Sequence, residues 1–236
     1  MSFSIGNAVS EGLKNLGNKA TLTIWMALTF VYLIQDFGTD TLTASGGQAE
    51  IAPLALGSSG ALGGLILLVS AALAVVLALT ALRFYSSDSS QLQSSMFQEN
   101  LLIPAANLVV GSIAFSFVVG IGFLLLIVPG LFLLTALYFY TFRIAVESEN
   151  FVEALRSSYS LTAGNRLELF GLGVLVTIPI LIATSIASPL LIFASTATMQ
   201  AALVSMIVFN AILALLFVAG ISIAGQAYNQ LVELQG

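Results

Sequence analysis

Continuously apolar runs that reach or exceed the roughly 18–20 residues needed to cross hydrocarbon recur along this chain, and they leave few folds open to it. The 236 residues are 58% hydrophobic and only 7% charged. Soluble domains carry roughly a quarter of their residues as charges, so lipid must face most of these side chains. A backbone in lipid has to satisfy its own polar groups, which leaves helices or a closed barrel. Barrel strands alternate polar and apolar residues over about ten positions. The runs here are unbroken, so the expected class is all-α: a polytopic membrane bundle of about six transmembrane helices plus short interfacial helices, forming one integral membrane domain over residues 1–236.

Composition removes several functions. The chain contains no cysteine and no histidine. Disulfides and thiolate metal sites are thereby excluded, and so are the commonest general base and the commonest transition-metal ligand. The basic residues are Lys14, Lys19, Arg83, Arg143, Arg156 and Arg166. They form no patch of the kind a nucleic acid requires.

In chain order, residues 2–19 place Ile5, Ala8, Val9, Leu13 and Leu16 at helical spacing, which predicts an amphipathic interfacial helix. Spans are expected over about 20–35, 59–84, 101–120, 123–142, 167–187 and 200–223. The first span ends at Asp36, followed by a loop to about Gly57 that carries Asp36, Asp40 and Glu50. A polar stretch, Ser86–Asn100, precedes the third span, whose Pro104 falls in the first helical turn, where its missing N–H costs little. Gly120-Ile121-Gly122 reads as a tight outer turn. Pro129-Gly130 leaves two arrangements open: a kinked fourth helix, or a longer third helix that turns over there. The kink is preferred because the turn shortens the fourth helix. Ser188-Pro189 is expected to break the fifth span, with Leu190–Met199 pressed on the interface. A polar tail begins at Gln226.

Between the fourth and fifth spans the register changes. Glu147, Glu149, Glu153 and Arg156 mark an aqueous amphipathic segment over 148–164. Asn150 followed by Glu153 reads as a helix cap with its return partner, and Gly164-Asn165 ends the helix. Six spans put both termini on one side together with all six basic residues. The positive-inside rule makes that side cytosolic.

Ionisable groups inside a span mark function by default. None falls near the middle of a predicted span; Asp36, Arg83, Glu99, Arg143, Arg166 and Glu168 all sit at ends. What remains at depth is amides, hydroxyls and helix breaks. Pro129, Gly130, Pro179, Asn107 and Asn210 are the candidate packing or solute-path residues. Glu147, Glu153, Arg156 and Asn165 are the candidate cytosolic clasp, with Arg156 paired to Glu153, Glu149 or Glu99. No catalytic, cofactor or metal constellation emerges.

The stretch LLLIVPGLFLLTALYFYTFRIAVESENFVEALRSSYSLTAGNRLELF, about a fifth of the chain, carries a recognisable pattern. Pro129, Gly130, Glu147, Glu153, Ala154, Leu155, Arg156, Ser157, Tyr159, Leu161, Thr162, Gly164 and Asn165 are its matching positions. They resemble the membrane domain attached to some glycerophosphoryl diester phosphodiesterases and the stand-alone membrane proteins similar to it. In those enzymes the chemistry belongs to a separate soluble barrel that uses histidine and carboxylates. The resemblance therefore implies a helical membrane module and no phosphodiesterase activity. The expectation is a non-enzymatic, multi-pass module of the cell membrane, embedded in the bilayer and packed with a partner protein or with itself. The alternative is a carrier or channel for a small or lipid-like solute.

Overall fold

The computed structural model describes residues 3–43, 60–87, 89, 91–93, 96 and 101–235, and all regular structure among them is helical. The helices are α1 (Ile5–Lys14), α2 (Lys19–Thr43), α3 (Gly60–Tyr85), α4 (Leu102–Leu125), α5 (Ile127–Ala136), α6 (Tyr140–Glu147), α7 (Phe151–Leu161), α8 (Arg166–Ala197) and α9 (Met199–Gln235). Among the described residues six stretches are long and apolar enough to cross a membrane: Lys19–Leu42, Gly60–Tyr85, Leu102–Leu125, Ile127–Glu147, Arg166–Ala187 and Met199–Gln235. The all-α, multi-pass reading stands. Glu50 and Glu99, with most of the polar connections around them, lie outside the described residues.

Four boundaries differ from expectation. First, α2 runs on to Thr43 instead of ending at Gln35. The hydroxyls of Thr39 and Thr41 donate to the carbonyls of Gln35 and Phe37 at 2.9 and 2.8 Å, so residues that suggest a loop spend their polarity on the helix itself. Second, Gly120-Ile121-Gly122 is helical, and the chain turns at Leu126, which is extended at φ −165° and ψ 154°. Pro129 consequently falls in the first turn of α5, where a missing N–H does no harm. Third, α8 continues through both Pro179 and Pro189; membrane helices tolerate proline where neighbours re-satisfy the freed backbone groups. Fourth, the polar tail is the end of α9, with Ala227, Tyr228 and Leu231 buried.

The Leu126 turn is tight because both sides lack bulk. A Cβ on Gly122 would lie 3.0 Å from the Gly130 Cα, and one on Gly130 would overlap the Phe123 ring. Gly130 is thus required for close approach between helices.

By internal packing the chain divides into two units. The first comprises Met1–Thr21, Ala78–Thr177 and Ala219–Gly236; the second comprises Leu22–Leu77 and Ile178–Val218. In the first unit, α1 is capped by Ser4, whose hydroxyl accepts from the Asn7 N–H at 3.3 Å. It lies on α9 through Gly12, whose carbonyl accepts from the Ser222 hydroxyl at 2.9 Å. The buried face of α1 is Ala8 and Gly12, while Leu13 is exposed.

The break between α5 and α6 is stitched by α7. The Ala136 carbonyl accepts from the Thr162 hydroxyl at 3.0 Å and the Ser158 hydroxyl at 3.3 Å, and Ser158 also accepts from the Phe139 N–H at 3.1 Å. Helix ends leave carbonyl and N–H groups without ladder partners, and buried ones must be paired. The small polar residues of the Ser-Ser-Tyr-Ser-Leu-Thr run do that here. Gly164, at φ +87°, then ends the segment. Aromatic rings complete the packing, with Tyr228 stacked on Phe142 at 5.3 Å between centroids.

In the second unit, Ile24, Leu28, Val31, Ala214 and Val218 are buried. The Trp25 indole N–H donates to the Ala211 carbonyl at 2.7 Å, tying α2 to α9 within that unit.

Candidate functional site

Because α2 is longer than its composition suggests, Asp36 lies inside a candidate span. It stands six residues before Leu42, the end of the Lys19–Leu42 span, or about 9 Å along the helix at 1.5 Å per residue. A carboxylate so placed needs partners. Asn210 of α9, only 4% exposed, supplies one: its amide nitrogen donates to Asp36 Oδ2 at 2.7 Å and to the Met206 carbonyl at 3.0 Å. A hydrogen bond to a charged group contributes about 1.5–3 kcal/mol, which does not neutralise the charge. No cation of the same unit can do so either, since all six Lys and Arg residues belong to the first unit.

A cavity of about 330 Å³ opens beside the pair. Tyr32, Gln35 and Asp36 from α2, Thr184 from α8 and Asn210 from α9 give it a polar strip, while Ile180, Phe209, Leu213 and Phe217 supply apolar walls. Pro179 precedes Ile180 on α8 and is not itself one of the lining residues. The Thr184 hydroxyl is turned to the Ile180 and Leu181 carbonyls of its own helix at 3.0 Å. Acceptor oxygens in the lining come from Asp36, Asn210, Gln35 and Tyr32. Such a site suits a donor-rich or cationic group.

A second polar constellation occupies the first unit and centres on Arg143. Its guanidinium pairs with Glu147, and with Glu149 at 3.0 Å, while Nε donates to the Ser157 hydroxyl at 3.0 Å. Ser157 in turn donates to Glu149 Oε2, and the Tyr228 hydroxyl donates to Glu147 Oε1, each at 2.5 Å. Glu147 Oε1 and both Glu149 carboxylate oxygens have donors, so the cluster is a clasp joining α6, α7 and α9. Arg83 strengthens the same region by donating to the carbonyls of Ala145 and Met96 at 2.7 and 3.2 Å.

Of the residues expected to form the clasp, Glu147 takes part. Glu153 and Arg156 are exposed, and Arg156 makes no ion pair among the described residues. Asn165 lies at the start of α8, its carbonyl accepting from the Leu169 N–H at 3.0 Å. The α7 cap is Asn150, which accepts from the Val152 and Glu153 N–H groups at 3.1 and 3.0 Å. Asn107 accepts from the Phe151 N–H at 3.3 Å, so its polarity serves packing. Pro129 and Gly130 shape the Leu126 turn. Sequence reasoning assigned Asp36 to a loop and left Arg143 as a helix-end charge. Asp36 stays in the helix because Thr39 and Thr41 behind it bond back to carbonyls four residues earlier, which threonine can do in a helix of any composition. Among the described residues no cluster of three or more acidic side chains is arranged to hold a metal ion.

Residues 91–231, more than half of the chain, match the model of a domain of unknown function, DUF7847. The chain belongs to this family. No curated protein and no solved structure matches it. The whole Arg143 clasp falls within the DUF7847 region, and so does Asn210; Asp36 lies outside it.

Proposed function

We propose that this DUF7847 protein is a carrier that binds a small solute bearing an ammonium or comparable cationic group at Asp36 and Asn210. The carrying observation is the carboxylate inside a candidate span with an amide donor, an adjoining cavity and no basic residue in its own unit. Ionisable residues at such positions mark substrate or ion pathways. The solute supplies the missing positive charge, Asn210 orients the carboxylate, and the apolar walls accept the rest of the molecule. The reading is non-enzymatic, in keeping with a sequence that has neither histidine nor cysteine. The expected likeness to phosphodiesterase-linked membrane domains adds nothing to this reading, since the family match carries no named link.

The test is a panel of amines (tetramethylammonium, ethanolamine, spermidine) added to the full chain in lipid nanodiscs while its thermal unfolding midpoint is followed. A ligand at 100 times its Kd stabilises by about 2.7 kcal/mol, a shift that is easily read. At least one amine should raise the midpoint of the native chain and leave Asp36→Asn unmoved, since the amide keeps the Asn210 contact while losing the charge. Equal shifts in both proteins, or none in either, would sink the carrier and return weight to a packing module. That reading draws on the exposed apolar surface of α8 in the second unit, where Leu181, Ile182 and Ile186 are uncovered.

We also infer that both termini face the cytosol. Six candidate spans return the chain to its starting side, and all six basic residues cluster in the unit that contains both termini. Because the sequence lacks cysteine, single substitutions at Lys14→Cys and Arg156→Cys report directly. A membrane-impermeant maleimide should label them only after the cytosolic face is opened. Labelling on intact cells would reverse the orientation.

A further inference from the structure

Arg166 opens α8 at the end of a candidate span, where the guanidinium lies against two rings set edge to face. Its carbon is 4.2 Å from the Tyr159 ring centre and 4.6 Å from that of Phe132. One of its nitrogens, Nη2, donates to the Tyr159 carbonyl at 3.0 Å. Its Nε is buried and has no hydrogen-bond partner, and Arg166 makes no ion pair among the described residues. Rings hold the cation in place without neutralising it, because their attraction comes from a quadrupole and not from a net charge. A permanently charged group half-buried at a membrane boundary, with a donor still unused, lacks an anion.

A groove of about 300 Å³ runs from this guanidinium between α5 and α8, walled by Val128, Leu131, Phe132, Leu167 and Phe170. Thr135 also lines it, but its hydroxyl already donates to the Leu131 carbonyl at 2.9 Å, so the groove is apolar throughout its length. Val128 and Leu167 are largely exposed, leaving the groove open to the surrounding lipid.

We propose that this groove takes an acyl chain of an anionic phospholipid whose phosphate is held by Arg166. The match is one of charge and of amphipathic order: a fixed cation at the boundary, then an uninterrupted apolar channel leading away from it. Basic pockets between membrane helices recognise anionic headgroups by this logic, and the planar guanidinium presents paired N–H donors to phosphate oxygens. A zwitterionic lipid has a phosphate but carries its own cation beside it, so it fits the apolar channel and forfeits most of the charge preference.

The site is distinct from the Asp36 cavity and is tested separately. The full chain in mild detergent is titrated with phosphatidylglycerol or phosphatidylcholine, and bound lipid is counted by native mass spectrometry. The native chain should retain one phosphatidylglycerol preferentially. Arg166→Gln should weaken that binding at least fivefold and leave phosphatidylcholine unchanged, while Arg166→Lys retains most of it. Leu131→Trp, which fills the groove and spares the cation, should weaken both lipids. Arg156→Gln, which removes an exposed arginine, should change neither. An equal loss in Arg156→Gln would reduce the effect to bulk charge and overturn the site. Undiminished phosphatidylglycerol binding in Arg166→Gln or in Leu131→Trp would do the same.

Discussion

Gly225→Val should lower the unfolding free energy by about 3 kcal/mol, at the upper end of ordinary overpacking costs. A Cβ at position 225 would stand 2.5 Å from the Tyr85 carbonyl oxygen and 2.8 Å from its carbonyl carbon. The obstacle is main chain, so no rotamer change relieves it, and α3 would have to retreat from α9 in this unit. Tyr85 is held there: it is almost fully buried and its hydroxyl donates to Thr21 Oγ1 at 3.0 Å. Gly173→Val is the matched control, since a Cβ there meets nothing within 4 Å. Denaturant titration in mixed micelles should separate the two variants clearly. Equal midpoints would mean that α9 yields easily, and the packing argument would fail.

The second large effect is expected at Arg143. Arg143→Met removes both ion pairs and the bond to Ser157, leaving Glu147 and Glu149 without their cation. Stranding fully buried charges costs 3–5 kcal/mol. Here the arginine and Glu149 side chains are each 19% exposed and Glu147 is 35% exposed, so water screens part of the loss and about 2–3 kcal/mol is expected. Tyr228→Phe removes a single hydrogen bond from the same cluster and should cost about 1 kcal/mol. Arg156→Met, changing an exposed side chain outside the cluster, should stay within about 0.5 kcal/mol. A native-like midpoint for Arg143→Met would show that the clasp is ornamental.

Fold class and the approximate positions of six spans were legible because hydrocarbon imposes a length and a polarity that any window of sequence displays. Helix ends were less legible, since tertiary contacts set them. The run from Asp36 to Thr43 has the composition of a loop, yet two threonines bond back to their own helix and Thr41 is fully buried. Pro129-Gly130 was read as a kink in preference to a turn; the chain instead reverses three residues earlier, where Leu126 is simply extended. Pro189 misled because the breaking power of proline belongs to water-exposed helices more than to membrane ones. The polar clasp was half legible. The clustered glutamates advertised it, but which arginine they choose depends on how α6 and α7 fold together, and the i,i+4 relation of Arg143 to Glu147 was the available clue. Asp36 with Asn210 was not legible as a pair, being separated by 174 positions.

The first unit draws on three separate pieces of chain, and its closure is written into a schedule. The Gly12 carbonyl waits for a hydroxyl 210 residues downstream, and the Ser4 N–H waits for Gln230 at 3.2 Å. At about 5–20 residues per second, the ribosome needs on the order of 10–40 s to deliver the second half of that handshake. Until then α1 is an amphipathic segment without its α9 partner. Nascent chains halted before Ser222 should therefore keep their N-terminal segment in the custody of the membrane surface or of a chaperone, and it is α9 that locks α1 in place.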